Sequence, residues 1–164
     1  MFFPLFIDLT DRPCLIVGTG SVATHKREIL ESFGARVTMS DAFASEQVEG
    51  QTLVVAATDD RALNADVSAV CRSRGIPVNV VDDPSLCTFI FPSIFKKDPV
   101  VVAVSSGGAC PVATQVVRDR VTAAVSDRFV AKVAELGAAR ERIKAEHPDI
   151  DERGAWMRKE LESC

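Results

Sequence analysis

Up to Val104 the chain is dominated by short apolar runs with little polar alternation. Cys14 to Val17, Arg36 to Met39, Leu53 to Ala57 and Ile76 to Val81 each read as a strand, and runs of this kind suit a parallel sheet covered on both faces. Between the first two, a helical pattern sets Val22, Ala23, Ile29, Leu30 and Phe33 on one side and stops at Gly34. Between the last two, Asp59 or Asp60 caps a helix whose Leu63, Val67, Val70 and Cys71 fall at i, i+4, i+7 and i+8, and Gly75 ends it. Such alternation predicts an α/β fold. Only Asp41 to Gln51 joins the second strand to the third. A parallel crossover normally takes about a dozen residues or more, so this one is trimmed or is not a full helix.

The texture changes near Ser105. Val100 to Val104 adds one more strand after Pro99, and Ser105-Ser106-Gly107-Gly108 makes a flexible break. Beyond it Val112, Val116, Val117, Val121, Ala124 and Val125 form one apolar helical stripe, and Phe129 through Leu136 continues it until Pro148 interrupts. These features predict two domains, 1–104 and 105–164. A chain this short cannot easily cover such a stripe alone, so the helical part is expected to pack against a second subunit in a homodimer.

Composition narrows the function. The chain has 164 residues, 47% of them apolar, enough to bury a core. Its net charge is only −4, with 19 basic and 23 acidic side chains intermixed, which speaks against a nucleic-acid partner held by bulk charge. There is no tyrosine, which excludes a Tyr-Lys dehydrogenase. Two histidines exclude a multi-histidine metal site within one chain, so an acid or base is expected to be a carboxylate. The five widely spaced cysteines fit neither a disulfide framework nor a zinc knuckle, and a reducing cytoplasm suits them. Asp8 and Pro4 break the apolar start, so a secretory signal is not expected, and no segment approaches the roughly 20 apolar residues that span a bilayer.

The strongest local motif is Gly18-Thr19-Gly20-Ser21-Val22-Ala23, a G-x-G-x-x-A turn that follows a strand and opens a helix. In a dinucleotide-binding Rossmann-type domain Gly18 would allow the tight turn, Gly20 would let the backbone approach a pyrophosphate, and the amides of Ser21 and Val22 would face the anion. An ordinary glycine turn is the competing explanation. The fingerprint calls for an acidic group about 20 residues on, at the ribose. Asp41, next to Ser40 at the end of the second strand, stands there, and its charge would favour NAD over NADP; an exposed loop aspartate without a role is the plainer option. Ala57, Thr58 and Asp59 follow the third strand at the sheet edge where ligands bind, although the two aspartates there also serve as helix caps. After the fourth strand, Val78-Asn79-Val80-Val81-Asp82-Asp83-Pro84 places a carboxylate beside the same crevice. Partly shielded from water, Asp82 could act as a general base. Taken alone, Asp-Asp-Pro is also simply a turn.

Read together, CLIVGTGSVATHK, VVAATDD, VNVVDDP, FIFPSI and VVAVSSGGACPVAT resemble the siroheme synthase N-terminal family over most of residues 3–125. SSGG followed by proline after a strand is the more specific part, since a generic dinucleotide-binding domain has no need of it. The resemblance implies an NAD-dependent homodimer that oxidises precorrin-2 to sirohydrochlorin, with or without insertion of iron, and Asp82 matches the family's catalytic aspartate. Ser105, Ser106, Gly107 and Gly108, with Lys96 and Arg118 and the neighbouring Lys97 and Arg120, would then meet a substrate rich in carboxylates. The segment after Asp41 is shorter than in typical members, Cys110 replaces a usual hydroxyl residue and is expected to pack, and methylation is expected to fall to another protein. His25 reads as a surface residue and His147 as a helix-end residue, with a metal-escort role the minor option for each. Two other functions stay open: an NADH-sensing dimer without turnover, and a chelatase that has lost its cofactor.

Overall fold

The computed structural model describes residues 2–164, which divide into two compact units, one ending at Phe91 and the other comprising Pro92–Cys164. The division falls ahead of the expected one at Ser105. Its cause is a strand that the apolar pattern did not reveal, described below.

The first unit is built on β1 (Pro13–Val17), α1 (Ser21–Ser32), β2 (Arg36–Ser40), β3 (Leu53–Ala56), α2 (Arg61–Ser73) and β4 (Val78–Val80). All pairings are parallel, in the order β2-β1-β3-β4, with Val17 level with Ser40 and Ala56, and Ala56 level with Val80. The expected α/β sheet is therefore present. Successive side chains of a strand face opposite ways, and β1 shows why it needs no polar position. Leu15 and Val17 join Val67 and Cys71 of α2 in one core layer, while Cys14 and Ile16 join Ala23 and Leu30 of α1 in the other. Each buried Leu, Ile or Val contributes about 1.5–3 kcal/mol. Burial also raises the thiol pKa of Cys14, and pushes that of Cys71 up to about 11, so both are protonated core residues. All five cysteines are free.

The connection from β2 to β3 is indeed not a full helix. It contains a four-residue 3-10 turn, Ser45–Val48, whose Val48 is fully buried in the α2-side layer. Gln47 pins the turn by accepting from the Ala44 amide at 2.8 Å, and Arg74 donates to the Ser45 carbonyl at 2.7 Å. One valine thus covers sheet that a crossover helix would otherwise cover, and β2 is left as an edge strand. On the other side of the sheet, Cys87–Phe89 run along β4: the Thr88 amide donates to the Val78 carbonyl at 2.8 Å, and the Val78 amide to the Thr88 hydroxyl at 2.8 Å.

The second unit begins with β5 (Ser93–Lys97), which pairs antiparallel with β6 (Val100–Val104). The Val100–Val104 strand therefore does not extend the parallel sheet; it belongs to a hairpin turned at Asp98-Pro99. Helix α3 (Pro111–Ala124) packs on this hairpin, followed by α4 (Asp127–Ala138), α5 (Arg140–Glu146) and α6 (Ile150–Glu162). Val130, Leu136 and Ile143 are its buried apolar side chains. Val112, Val116 and Val117 of the stripe are exposed, and nothing in α3 is fully buried. No helix among the described residues is long and apolar enough to cross a membrane.

Candidate functional site

The carboxyl ends of the parallel strands open into a cleft of about 860 Å3 in the first unit. Gly18, Gly20, Ser21, Val22, Asp41, Ala57, Thr58, Asp59 and Asp82 all line it, so the residues singled out from four separate strand ends meet in one place. Ser40 does not line it. Its carbonyl accepts from the Gly18 amide at 2.7 Å and its hydroxyl donates to the Ala42 carbonyl at 2.6 Å, so it shapes the turn behind the cleft wall.

The two glycines of the fingerprint do different jobs. Gly18 has φ +121°, and a Cβ there would lie 2.3 Å from the Ala57 carbonyl oxygen. The first turn therefore rests directly on the loop after β3, and no other residue fits. Gly20 has φ −71°, which any residue can adopt, and a Cβ there would find nothing within 4 Å. The protein itself does not require glycine at this point; the open space lies where a ligand would approach.

The helix ends differ in the same informative way. Gly20 is the N-cap of α1, no side chain accepts from the first-turn amides, and no acidic residue lies in that turn. At the start of α2, the Asp60 carboxylate accepts from the amides of Ala62 at 2.9 Å and Leu63 at 3.1 Å. The orphan donors of α2 are thus satisfied and carry a charge, whereas those of α1 remain available to an anion. These features fit an anion such as the pyrophosphate of a dinucleotide at the turn of Gly18, Gly20, Ser21 and Val22.

Several cleft residues escaped the sequence. Asn64 is 6% exposed, accepts from the Thr58 hydroxyl at 2.7 Å and donates to the Thr58 carbonyl at 2.8 Å, fixing the loop after β3. The available signal was a polar residue on the buried side of α2, where Asn64 and Ser68 share a face with Val67 and Cys71. Arg61 and Asp83, also in the lining, form an ion pair at 3.1 Å. The Ser85 hydroxyl donates to Asp83 at 2.5 Å, and this bond, with the Arg61 guanidinium, holds the Asp83 carboxyl below its usual range.

Asp82 is placed differently from its neighbour. It has φ +60°, a left-handed conformation uncommon outside glycine that costs about 1–3 kcal/mol. Its carboxylate makes no hydrogen bond or ion pair with any described residue. It is also exposed, contrary to the expected partial shielding, because no described residue of the first unit covers the end of β4. Near it lies Lys26, a residue the sequence reading passed over. The ammonium sits 4.0 Å above the Phe91 ring, burial lowers its pKa, and the charges of Asp82 and Cys87 oppose that shift.

The residues expected to meet substrate lie in the second unit. Ser105 accepts from the Gly107 amide and Ser106 from the Cys110 amide, each at 3.0 Å, while Gly107 and Gly108 have φ of +64° and +90°. Lys96 pairs with Asp98 at 3.5 Å, Lys97 with Asp127, and Arg118 with Asp119 at 2.7 Å. Cys110, expected to pack, is exposed at the start of α3, since the break before it holds it out on the helix end. His25 is on the surface with Glu28 at 3.9 Å, and His147 ends α5 and stacks on Trp156 at 5.1 Å.

A family model for NAD(P)-binding domains matches residues 5–93, more than half of the chain. The chain belongs to this NAD(P)-binding family. The residues in the cleft and the family match agree on a dinucleotide cofactor, and the resemblance read from the motifs is borne out by curated relatives. The chain is 42% identical to a siroheme synthase of Methylococcus capsulatus over 98% of its own length and 38% of that protein. It is 40% identical to a siroheme synthase of Ectopseudomonas mendocina over 93% of its length and 37% of that protein. It thus spans a little over a third of the curated relatives it matches. The Methylococcus alignment runs over 183 residues, against 164 in this chain, so that relative carries residues absent here. Among solved structures, the precorrin-2 dehydrogenase SirC matches with a TM-score of 0.63 at 19% identity, covering 99% of this chain and 98% of that one, which establishes a shared fold.

Proposed function

We propose that this NAD(P)-binding family member oxidises precorrin-2 to sirohydrochlorin with NAD, and that Asp82 receives the proton released. The observation that carries this reading is the meeting, at one sheet edge, of an uncapped helix N-terminus with open space over Gly20 and a carboxylate that the protein leaves unengaged. Bound NAD would supply the hydride acceptor. The chain's own part is to hold it and to take the proton. The α1 amides neutralise the pyrophosphate, Asn64 keeps the opposite loop fixed, and the Asp41 carboxylate disfavours a 2′-phosphate and so selects NAD over NADP. Asp83 is occupied by Ser85 and Arg61, which leaves Asp82 as the free base of the pair. Ligands bound over the end of β4 would shield it from water. The names of the relatives and of the fold neighbour support this substrate class.

The exposed Val112, Val116 and Val117 on α3 support a homodimer, whose mass sedimentation equilibrium would report. Lys96, Arg118 and the Ser105–Gly108 turn are proposed as substrate contacts of the second unit. The deciding experiment is incubation with precorrin-2 and NAD, followed by the sirohydrochlorin absorption spectrum. Conversion is expected, and Asp82→Ala should abolish it while changing NAD affinity by less than about twofold. An absence of conversion by a protein that binds NAD would favour a sensing role instead.

A further inference from the structure

Lys26 is in an unusual position for a lysine. On α1, residues 23, 26 and 30 share a face, and Ala23 and Leu30 are both buried against the sheet. The lysine between them is only half exposed. A long aliphatic stem often covers apolar surface while its charged end reaches water, but here the charged end lies over the Phe91 ring, which in turn packs against Phe89 at 5.4 Å. No carboxylate closes the arrangement: the Lys26 ammonium makes no ion pair or hydrogen bond with any described residue. Elsewhere in this unit Arg27, Arg61 and Arg74 each have a carboxylate within 3.7 Å. Partial burial has already stripped some of its water, and the ring face is a weaker partner than an anion.

Asp82 supplies the context. Any carboxylate of a substrate that approaches this aspartate is repelled by it, and a polyanionic substrate cannot avoid the approach. A cation beside the base removes that repulsion.

We propose that Lys26, seated on Phe91 within electrostatic reach of Asp82, receives a peripheral carboxylate of the tetrapyrrole and so anchors the edge of the macrocycle that Asp82 serves. This rests on the tetrapyrrole reading of the site and adds to it a specific anion contact in the first unit. Lys26 does not line the dinucleotide cleft.

The test is direct binding of sirohydrochlorin, followed by quenching of the single tryptophan or by absorbance, to wild type, Lys26→Met and Lys26→Arg of the full chain. Methionine keeps a stem over Phe91 without the charge, and arginine keeps the charge. Loss of a charge-assisted contact is expected to weaken binding about tenfold or more in Lys26→Met and to flatten its salt dependence. Lys26→Arg should stay within about threefold of wild type, and NAD affinity should be unchanged in both. With precorrin-2, KM should rise in Lys26→Met more than kcat falls. Equal affinity of Lys26→Met and wild type overturns the proposal, as does equal weakening in both variants accompanied by loss of NAD affinity, which would mark a structural role. A wild type that binds sirohydrochlorin but oxidises nothing sinks the dehydrogenase reading and leaves the lysine to be judged by the three affinities. A wild type that does not bind it sinks both.

Discussion

Gly20→Asp should stabilise the protein and destroy its affinity for NAD. The N-cap of α1 already has the extended backbone of a capped helix start, φ −71° and ψ −179°, which aspartate adopts without strain. A Cβ at this point meets nothing within 4 Å. The first-turn amides have no side-chain acceptor, so the new carboxylate would accept from them as Asp60 does at the start of α2. Replacing a glycine cap by aspartate is worth a few tenths of a kcal/mol, and a negative charge at a helix N-terminus about 0.3–1 kcal/mol more. Together they amount to roughly 0.5–1.4 kcal/mol, a rise of about 1–6 °C in Tm for a chain of this size. The same carboxylate then occupies the position offered to the pyrophosphate, with a like charge, and NAD affinity should fall by at least about a hundredfold. Calorimetric melting and NAD titration of one variant read both effects. Undiminished NAD affinity would refute the placement of the dinucleotide on α1. A fall in Tm would refute the claim that the amides are unsatisfied.

Gly18→Ala should behave in the opposite way. Its Cβ would stand 2.3 Å from a backbone oxygen at a φ closed to alanine, so unfolding in urea should show a loss of about 2–5 kcal/mol, and an unchanged midpoint would contradict the geometry. Asn64→Ala leaves the Thr58 hydroxyl and carbonyl without their partner; it should cost about 1–3 kcal/mol and weaken NAD several-fold, and wild-type values in both measurements would remove Asn64 from the site. Asp83 has a folded pKa below its usual 3.8, chiefly through Ser85. Its stabilising effect is therefore present above the unfolded pKa and is lost as pH falls through the folded one. Urea midpoints of wild type and Asp83→Asn should differ near neutrality and converge in acid, below the usual carboxylate range, and parallel pH curves would count against the bond.

Which parts of this fold could be read from the chain depends on how locally each part is determined. Both faces of β1 and β3 are covered, so their sequences are uniformly apolar, and Gly34 and Gly75 mark helix ends at φ of +84° and +68°. β5 left no such mark. Ser-Ile-Phe-Lys-Lys, which ends in two lysines, is a strand because Val100–Val104 pairs with it across the Asp98-Pro99 turn. The expected boundary at Ser105 failed with it: once β6 pairs with β5, the hairpin and α3 make one unit. Helix α6 was passed over for another reason. It has no fully buried residue, and only the Asp149 carboxylate, accepting from the amides of Asp151 and Glu152, announces its start.

The site was legible to the extent that parallel strands impose it. Residues directly after β1, β2, β3 and β4 must lie along one edge, so the topology alone assigns Gly18, Asp41, Ala57 and Asp82 to one crevice. What the strands do not impose is what lies over that edge. Asp82 was expected to be shielded, and it is exposed, because shielding depends on matter that is not part of the β4 segment. Asp83 and Asp82 are adjacent and chemically identical in sequence, yet Arg61, twenty-two residues away along the chain, takes up one and leaves the other. Lys26 and Asn64 share a subtler signal, a polar group on the buried face of a helix. Such residues break the apolar pattern at a cost in desolvation, and a fold retains the cost where the group has a partner or a task. For Asn64 the partner is Thr58, within the same unit. Lys26 has only an aromatic ring and a nearby carboxylate it does not touch, so the balance of its charge points outward, to whatever anion comes to Asp82.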